Sequence, residues 1–84
     1  MESAIRYYQI KYDDNINQAF VHLVREIGQI AFGMETNNKS MLEAKIVEAQ
    51  ALLRFLAHKH GIDTSENAEA MYNKKISQFE NKKS

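Results

Sequence analysis

Two short stretches hold the residues whose types and spacing could do chemistry. In REIGQIA (Arg25 to Ala31), Glu26 is followed three residues later by Gln29. In EAKIVEAQ (Glu43 to Gln50), Glu48 is preceded three residues earlier by Lys45. Residues three apart share one face of a helix. Each stretch therefore has the spacing of a paired-carboxylate cation site with one member exchanged. Gln29 keeps an oxygen and loses the charge, whereas Lys45 reverses it. Magnesium takes hard oxygen ligands in near-octahedral geometry, often one or two carboxylates together with substrate phosphates. Glu26, Glu48 and the side-chain oxygen of Gln29 can supply a weak site of that kind.

Lys45 opposes it. A unit charge about 5 Å from a divalent ion costs about 7 kcal/mol at an effective dielectric near 20. The figure is an upper bound, since a lysine stem can carry its ammonium away to water. A third of it still exceeds a tenfold loss of affinity, because about 1.4 kcal/mol is a factor of ten. With the sign reversed, the same attraction favours Lys45 lying between Glu26 and Glu48, an ammonium in the place of a metal. A plainer alternative stays open: Lys45 and Glu48 as an ordinary exposed helix pair worth a few tenths of a kcal/mol.

Other candidates carry less. His58 and His60 are two apart and point in different directions on a helix; at a helix end they complement its negative pole. His22 lies four residues before Glu26, within reach of a hydrogen bond, though a solvated imidazole is the simpler expectation. No Ser, Cys or His stands in a recognisable nucleophile motif. NKKISQFENKK is locally basic with one aromatic and reads equally well as a phosphate contact or a solvated helix end. Met34, Met41 and Met71 read as core or interface fillers.

The elements that must position Glu26 and Glu48 are helices. The chain has no proline, and Asn, Asp, Ser and Gly punctuate it. A first helix is predicted over about Ser3 to Tyr12, with Ile5, Tyr8 and Tyr12 at helical spacing. Asn15 and Gln18 form a capping box for a second, whose apolar stripe is Ile16, Ala19, Phe20, Leu23, Ile27 and Ala31. Glycine inside a helix costs about 1 kcal/mol; Gly28 is read as a close approach of another helix, and Gly33 as a point of fraying. Ser40 and Glu43 cap a third helix running to His60, with Gly61 as its left-handed terminator and Ile62 making the accompanying contact. Leu42, Ile46, Ala49, Leu53 and Leu56 line one of its faces; Val47, Ala51, Leu52 and Phe55 line another. A helix apolar on most of its circumference must be covered on most sides, which three short helices of the same chain can hardly do. A dimer or tetramer burying Leu52, Phe55 or their neighbours between chains is expected. Asp63 and Glu66 cap a fourth helix, with Ala68, Tyr72, Ile76 and Phe79 as its stripe, before a polar tail at 80–84.

Bulk properties agree with a single helical domain over residues 1–84. A chain this short buries only about 60% of its unfolded surface, and such domains recover stability from disulfides, metals or association. There is no cysteine, which removes disulfides and thiolate metal sites. With 11 basic and 11 acidic residues the net charge is zero, so nothing argues for nucleic acid or a membrane surface as partner. No apolar run reaches the roughly 18 residues that span a bilayer, and MESAIRYYQIKYDD lacks a signal-peptide pattern. A cytoplasmic location is expected.

ALLRFLAHKHGIDTSENAEAMYNKKISQF resembles the C-terminal half of MazG-type nucleotide pyrophosphohydrolases, where a long apolar helix ends in a Gly-Ile-Asp turn and a further helix follows. LVREIGQIAFGM is similar to the EELGELAEAL helix of that family. The resemblance spans Ile16 to Phe79. It implies an all-α fold, a small four-helix MazG-like bundle completed by oligomerisation as dimers or dimers of dimers. It also implies magnesium as cofactor, held by two acidic i, i+3 pairs, and cleavage of nucleoside triphosphates to monophosphate and pyrophosphate. Carried over residue by residue, Glu26 matches the first carboxylate of the first pair and Gln29 stands at the second. Aligned on the Gly-Ile-Asp turn, Lys45 stands at the Glu of the second pair and Glu48 at its Asp. Family positions that approach phosphate or metal hold Met71, Lys75 and Gln78. Five of these seven positions depart from the pattern. If the chemistry survives, Glu26 and Glu48 bind magnesium, Gln29 assists and Lys75 meets the phosphates. The competing expectation is a non-catalytic helical oligomerisation or nucleotide-binding module with Lys45 replacing the metal. The direction in which Lys45 points discriminates the two.

Overall fold

A computed structural model describes residues 2–83, apart from the side chains of Ser65, Glu66 and Lys83. The chain is all-α, with four helices: α1 (Glu2–Tyr12), α2 (Ile16–Glu35), α3 (Lys39–Lys59) and α4 (Thr64–Lys83), of which the first three pack together. Three tight turns separate them, each built on one residue in the left-handed region. Asp13 (φ 52°), Asn37 (φ 53°) and Gly61 (φ 67°) occupy those places, and all three are residue types that tolerate this conformation.

The caps explain the boundaries. Asn15 accepts from the Gln18 amide at 3.1 Å and opens α2, as its spacing implies. α3 is capped by Asn38, which accepts from the Met41 amide at 3.1 Å, and not by Ser40, which lies inside the helix. The reason lies one turn earlier. Asn38 donates its backbone N–H to Gly33 O (2.9 Å) and Asn37 donates to Met34 O (3.3 Å). These bonds close α2 with a Schellman-type turn, which leaves Asn38 extended and free to cap α3. Gly33 is therefore no point of fraying. It is buried in α2, and a Cβ there would meet the Leu42 side chain at 3.2 Å, so the glycine lets α3 start against α2. Of the expected Asp63–Glu66 cap, the Glu66 side chain lies outside the described residues; Asn67 Nδ2 donates to Asp63 O at 3.1 Å.

Gly61 ends α3 as expected. Ile62 donates its backbone N–H to Ala57 O (2.8 Å) and Gly61 donates to His58 O (3.1 Å). The Ile62 side chain is itself more than half exposed. A Cβ on Gly61 would touch nothing within 4 Å, so Gly61→Ala carries only the backbone penalty of the left-handed region. It is expected to destabilise by about 1 kcal/mol, read as a lower urea midpoint at unchanged slope.

The core is formed where α1 and α2 pack on one side of α3. Tyr8, Ala19, Leu23, Ala49, Ala51, Leu52 and Phe55 are its buried members. Leu52 and Phe55 are fully buried within one chain and so are not available to the expected interface, which leaves that part to exposed neighbours such as Leu53. α2 divides its apolar residues between two faces: Ala19 and Leu23 point inward, whereas Phe20, Ile27 and Ala31 lie outside. The continuous stripe read from the sequence is thus two half-stripes about one position apart. α3 does the same, with Ile46, Val47 and Leu53 left exposed. At the far end, Lys59 Nζ reaches Asp14 Oδ1 (2.9 Å) and Gln9 Oε1 (3.2 Å), tying the α1–α2 turn to the end of α3. No extensive packing joins α4 to the other three helices, and its described side chains are exposed. The radius of gyration is 16.0 Å, against about 12 Å for a compact domain of this length. None of the described helices is long and apolar enough to cross a membrane.

Candidate functional site

Glu26 points into the seam between α2 and α3. It is a buried carboxylate at 4% exposure, on the helix that also supplies Ala19 and Leu23 to the core. A lone carboxylate is very costly in such a place unless it is paired, so its partners decide what the site is. Lys45 Nζ lies 3.3 Å from Glu26 Oε2 and 3.7 Å from Glu48 Oε2. Lys45 thus points inward, between the two carboxylates. Spacing brings this about: Lys45 and Glu48 occupy one face of α3, and antiparallel packing on α2 turns that face toward Glu26.

On the other side, His22 Nε2 lies 3.3 Å from Glu26 Oε1, one turn earlier on α2. Its Nδ1 is 2.7 Å from the Tyr12 hydroxyl. His22 is therefore a largely buried member of the cluster and not the solvated imidazole expected. Tyr8 and Tyr12 pack beside it, their ring centroids 6.0 and 5.9 Å from the imidazole, and Tyr8 in turn meets Phe55 at 6.1 Å. Neither tyrosine was legible as a site residue. The signal was there in part: Tyr8 and Tyr12 are four apart on one face of α1, and His22 and Glu26 are four apart on α2.

Electrostatics divides the two carboxylates. Burial pushes the Glu26 carboxyl up, but the hydrogen bond with Glu48 and the Lys45 ammonium outweigh it, so its net shift is downward. Glu48 moves the other way, through the hydrogen bond it shares with Glu26, then burial, then the Glu26 charge. Burial, followed by the Glu48 charge, also pushes the Tyr8 hydroxyl up.

One ligand-capable atom from each of His22, Glu26 and Glu48 lies within 4.8 Å of the others, which would suit a cation. Glu26 Oε2 and Gln29 Oε1 are also buried without a hydrogen-bond donor. The Lys45 contact satisfies the charge of Glu26 but not hydrogen-bond geometry. Against these stands the ammonium itself, already within ion-pair distance of both carboxylates. With Lys45 in this position, the residues do not fit a magnesium ion.

The remaining expected residues fall elsewhere. Lys75 lies on exposed α4 with its ammonium 5.0 Å from the Tyr72 ring centroid of the same helix. One chain does not bring it to the cluster. Met71 and Gln78 are likewise exposed on α4, and His58 and His60 are exposed at the end of α3. Comparison of the chain with family models, with curated proteins and with solved structures finds no match in any of the three.

Proposed function

We propose that this chain is a MazG-like helical module that self-associates, in which the Lys45 ammonium takes the place of the metal and nucleoside triphosphate pyrophosphohydrolase activity is weak or lost. The observation that carries the reading is the position of Lys45 Nζ, 3.3 Å from buried Glu26 and 3.7 Å from Glu48. A cation fixed covalently to α3 neutralises the carboxylate that the fold buries, so the scaffold stands without an ion. The chemistry of nucleotide cleavage needs a divalent charge at the phosphates, and an ammonium on this stem supplies one charge already spent on two carboxylates. In this reading the protein is cytoplasmic, a homodimer or tetramer, and retains at most nucleotide binding, with Lys75 as the phosphate contact.

The rival reading is a working magnesium-dependent pyrophosphohydrolase whose lysine swings out when substrate arrives. It draws on the two buried oxygens without donors, Glu26 Oε2 and Gln29 Oε1. A pyrophosphate-release assay across the common nucleoside triphosphates, with and without magnesium, separates the two. No magnesium-dependent release is expected. Turnover in the range of ordinary enzymes, about 1 per second or faster, would make the rival the better reading.

A further inference from the structure

The outward face of α2 is a second apolar stripe, with Phe20, Val24, Ile27, Ala31 and Met34 spaced four, three, four and three residues apart. That is the spacing of a helix seam made to meet another helix. All five are exposed, Ile27 at 53% and Met34 at 64%. Gly28 stands at the middle of the stripe. A glycine in a helix interior normally marks close backbone approach, yet a Cβ at Gly28 would meet nothing within 4 Å. Among the described residues nothing requires the glycine.

From these observations we infer that α2 of one copy crosses α2 of a second copy in antiparallel fashion, with the two-fold axis passing between Ile27 and Gly28. The inference deepens the self-association in the proposed function and does not depend on whether the chain hydrolyses nucleotides. Two-fold contacts must be self-complementary, and this stripe is. An axis at its midpoint places Ile27 over the second copy's Gly28, and Val24 over the second copy's Ala31, large against small each time. Phe20 then falls beside Met34 at both ends. From Phe20 to Met34 the stripe rises about 21 Å at about 1.5 Å per residue.

Area argues for an occupant, and for one of substantial size. The chain exposes 6681 Å², whereas a folded monomer of 9.7 kDa exposes about 5,100 Å². The excess, about 1,600 Å² per chain, is roughly twice what each partner buries in a standard interface. It is the amount an obligate dimer hides. α4, whose described side chains are exposed, and the α2 seam both contribute to it. Tyr72 and Ile76 on α4, and Ile46 and Leu53 on α3, are exposed as well. A net charge of zero sets no repulsion between copies.

The absence of cysteine makes a direct test possible. Gly28→Cys places a thiol beside the axis, where α-carbons must lie within about 7 Å to form a disulfide. Mild oxidation of this variant is expected to give a covalent dimer, while Ser3→Cys, exposed on α1, stays unlinked. Ile27→Glu is expected to weaken self-association by about thirtyfold or more, the effect of losing a central anchor. Should Gly28→Cys lose its helical circular dichroism, Ile27→Cys reads the same axis. A dimer in sedimentation that links at neither position, and that Ile27→Glu leaves intact, would overturn this interface and spare the broader reading of self-association. A monodisperse monomer at micromolar concentration would overturn both.

Discussion

The double variant Gln29→Glu with Lys45→Glu is expected to melt below the wild type in chelator and to recover as magnesium is added. The two changes restore two acidic i, i+3 pairs and remove the ammonium that lies 3.3 and 3.7 Å from Glu26 and Glu48. Four carboxylates then face one another across the α2–α3 seam. Glu26 is buried there, so their repulsion is poorly screened by salt. A divalent ion relieves that repulsion and binds the folded state alone. At a hundred times its dissociation constant it should add about 2.7 kcal/mol, or roughly 10–20 °C in a domain of this size. Wild-type protein should move little, because its own cation occupies the place. Protomer concentration must be equal in all arms, since association also shifts Tm. A wild-type gain as large as that of the variant would mean that Lys45 leaves the carboxylates readily, and the working-enzyme reading would gain.

Legibility in the sequence followed the range of the interactions. Helix ends set by neighbouring residues were readable: Asn15 caps α2, and Gly61 closes α3 at φ 67°. Asn38 displaced Ser40 as the cap of α3 because its backbone N–H is held by Gly33 O of the preceding helix, a bond that local spacing does not disclose. Periodicity found the apolar residues of α2 and α3 but not which half faces inward. The inward half is chosen by what α1 and the partner helix cover, and two faces 100° apart look alike in a list of apolar positions. The pair Lys45 and Glu48 was visible as spacing. The placing of Lys45 between Glu26 and Glu48 was expected from charge alone and is observed, whereas the His22–Tyr12 contact at 2.7 Å arises only through the packing of α1 beside α2. His22 was misjudged for the same reason: its burial comes from α1, on which the sequence of α2 is silent.

Lys45→Met should test the other half of the argument, that the ammonium supports the fold. Methionine keeps the length and apolar stem of lysine but leaves Glu26 buried without its counter-charge. Removing one partner of a fully buried ion pair costs roughly 3–5 kcal/mol. Here the loss should be smaller, about 2 kcal/mol at neutral pH, because Lys45 keeps a 24% exposed side chain and Glu26 can take up a proton. The pH dependence has a definite sign. The Glu26 carboxyl is held below its ordinary value in the wild type, against the upward push of burial. Its pairing therefore stabilises the fold above the unfolded value of about 4.5 and is lost as pH falls through the folded one. The gap between wild type and Lys45→Met should be widest near pH 7 and should narrow below about pH 4.5. Adding Glu26→Gln removes the charge that the lysine serves, so the double variant should lie within about 0.5 kcal/mol of Glu26→Gln alone. Urea unfolding of the four proteins at pH 7 and at pH 4 gives every term of this cycle. A Lys45→Met loss that persists beside Glu26→Gln and ignores pH would assign the lysine to packing through its stem, and the ammonium would then hold no cation's place.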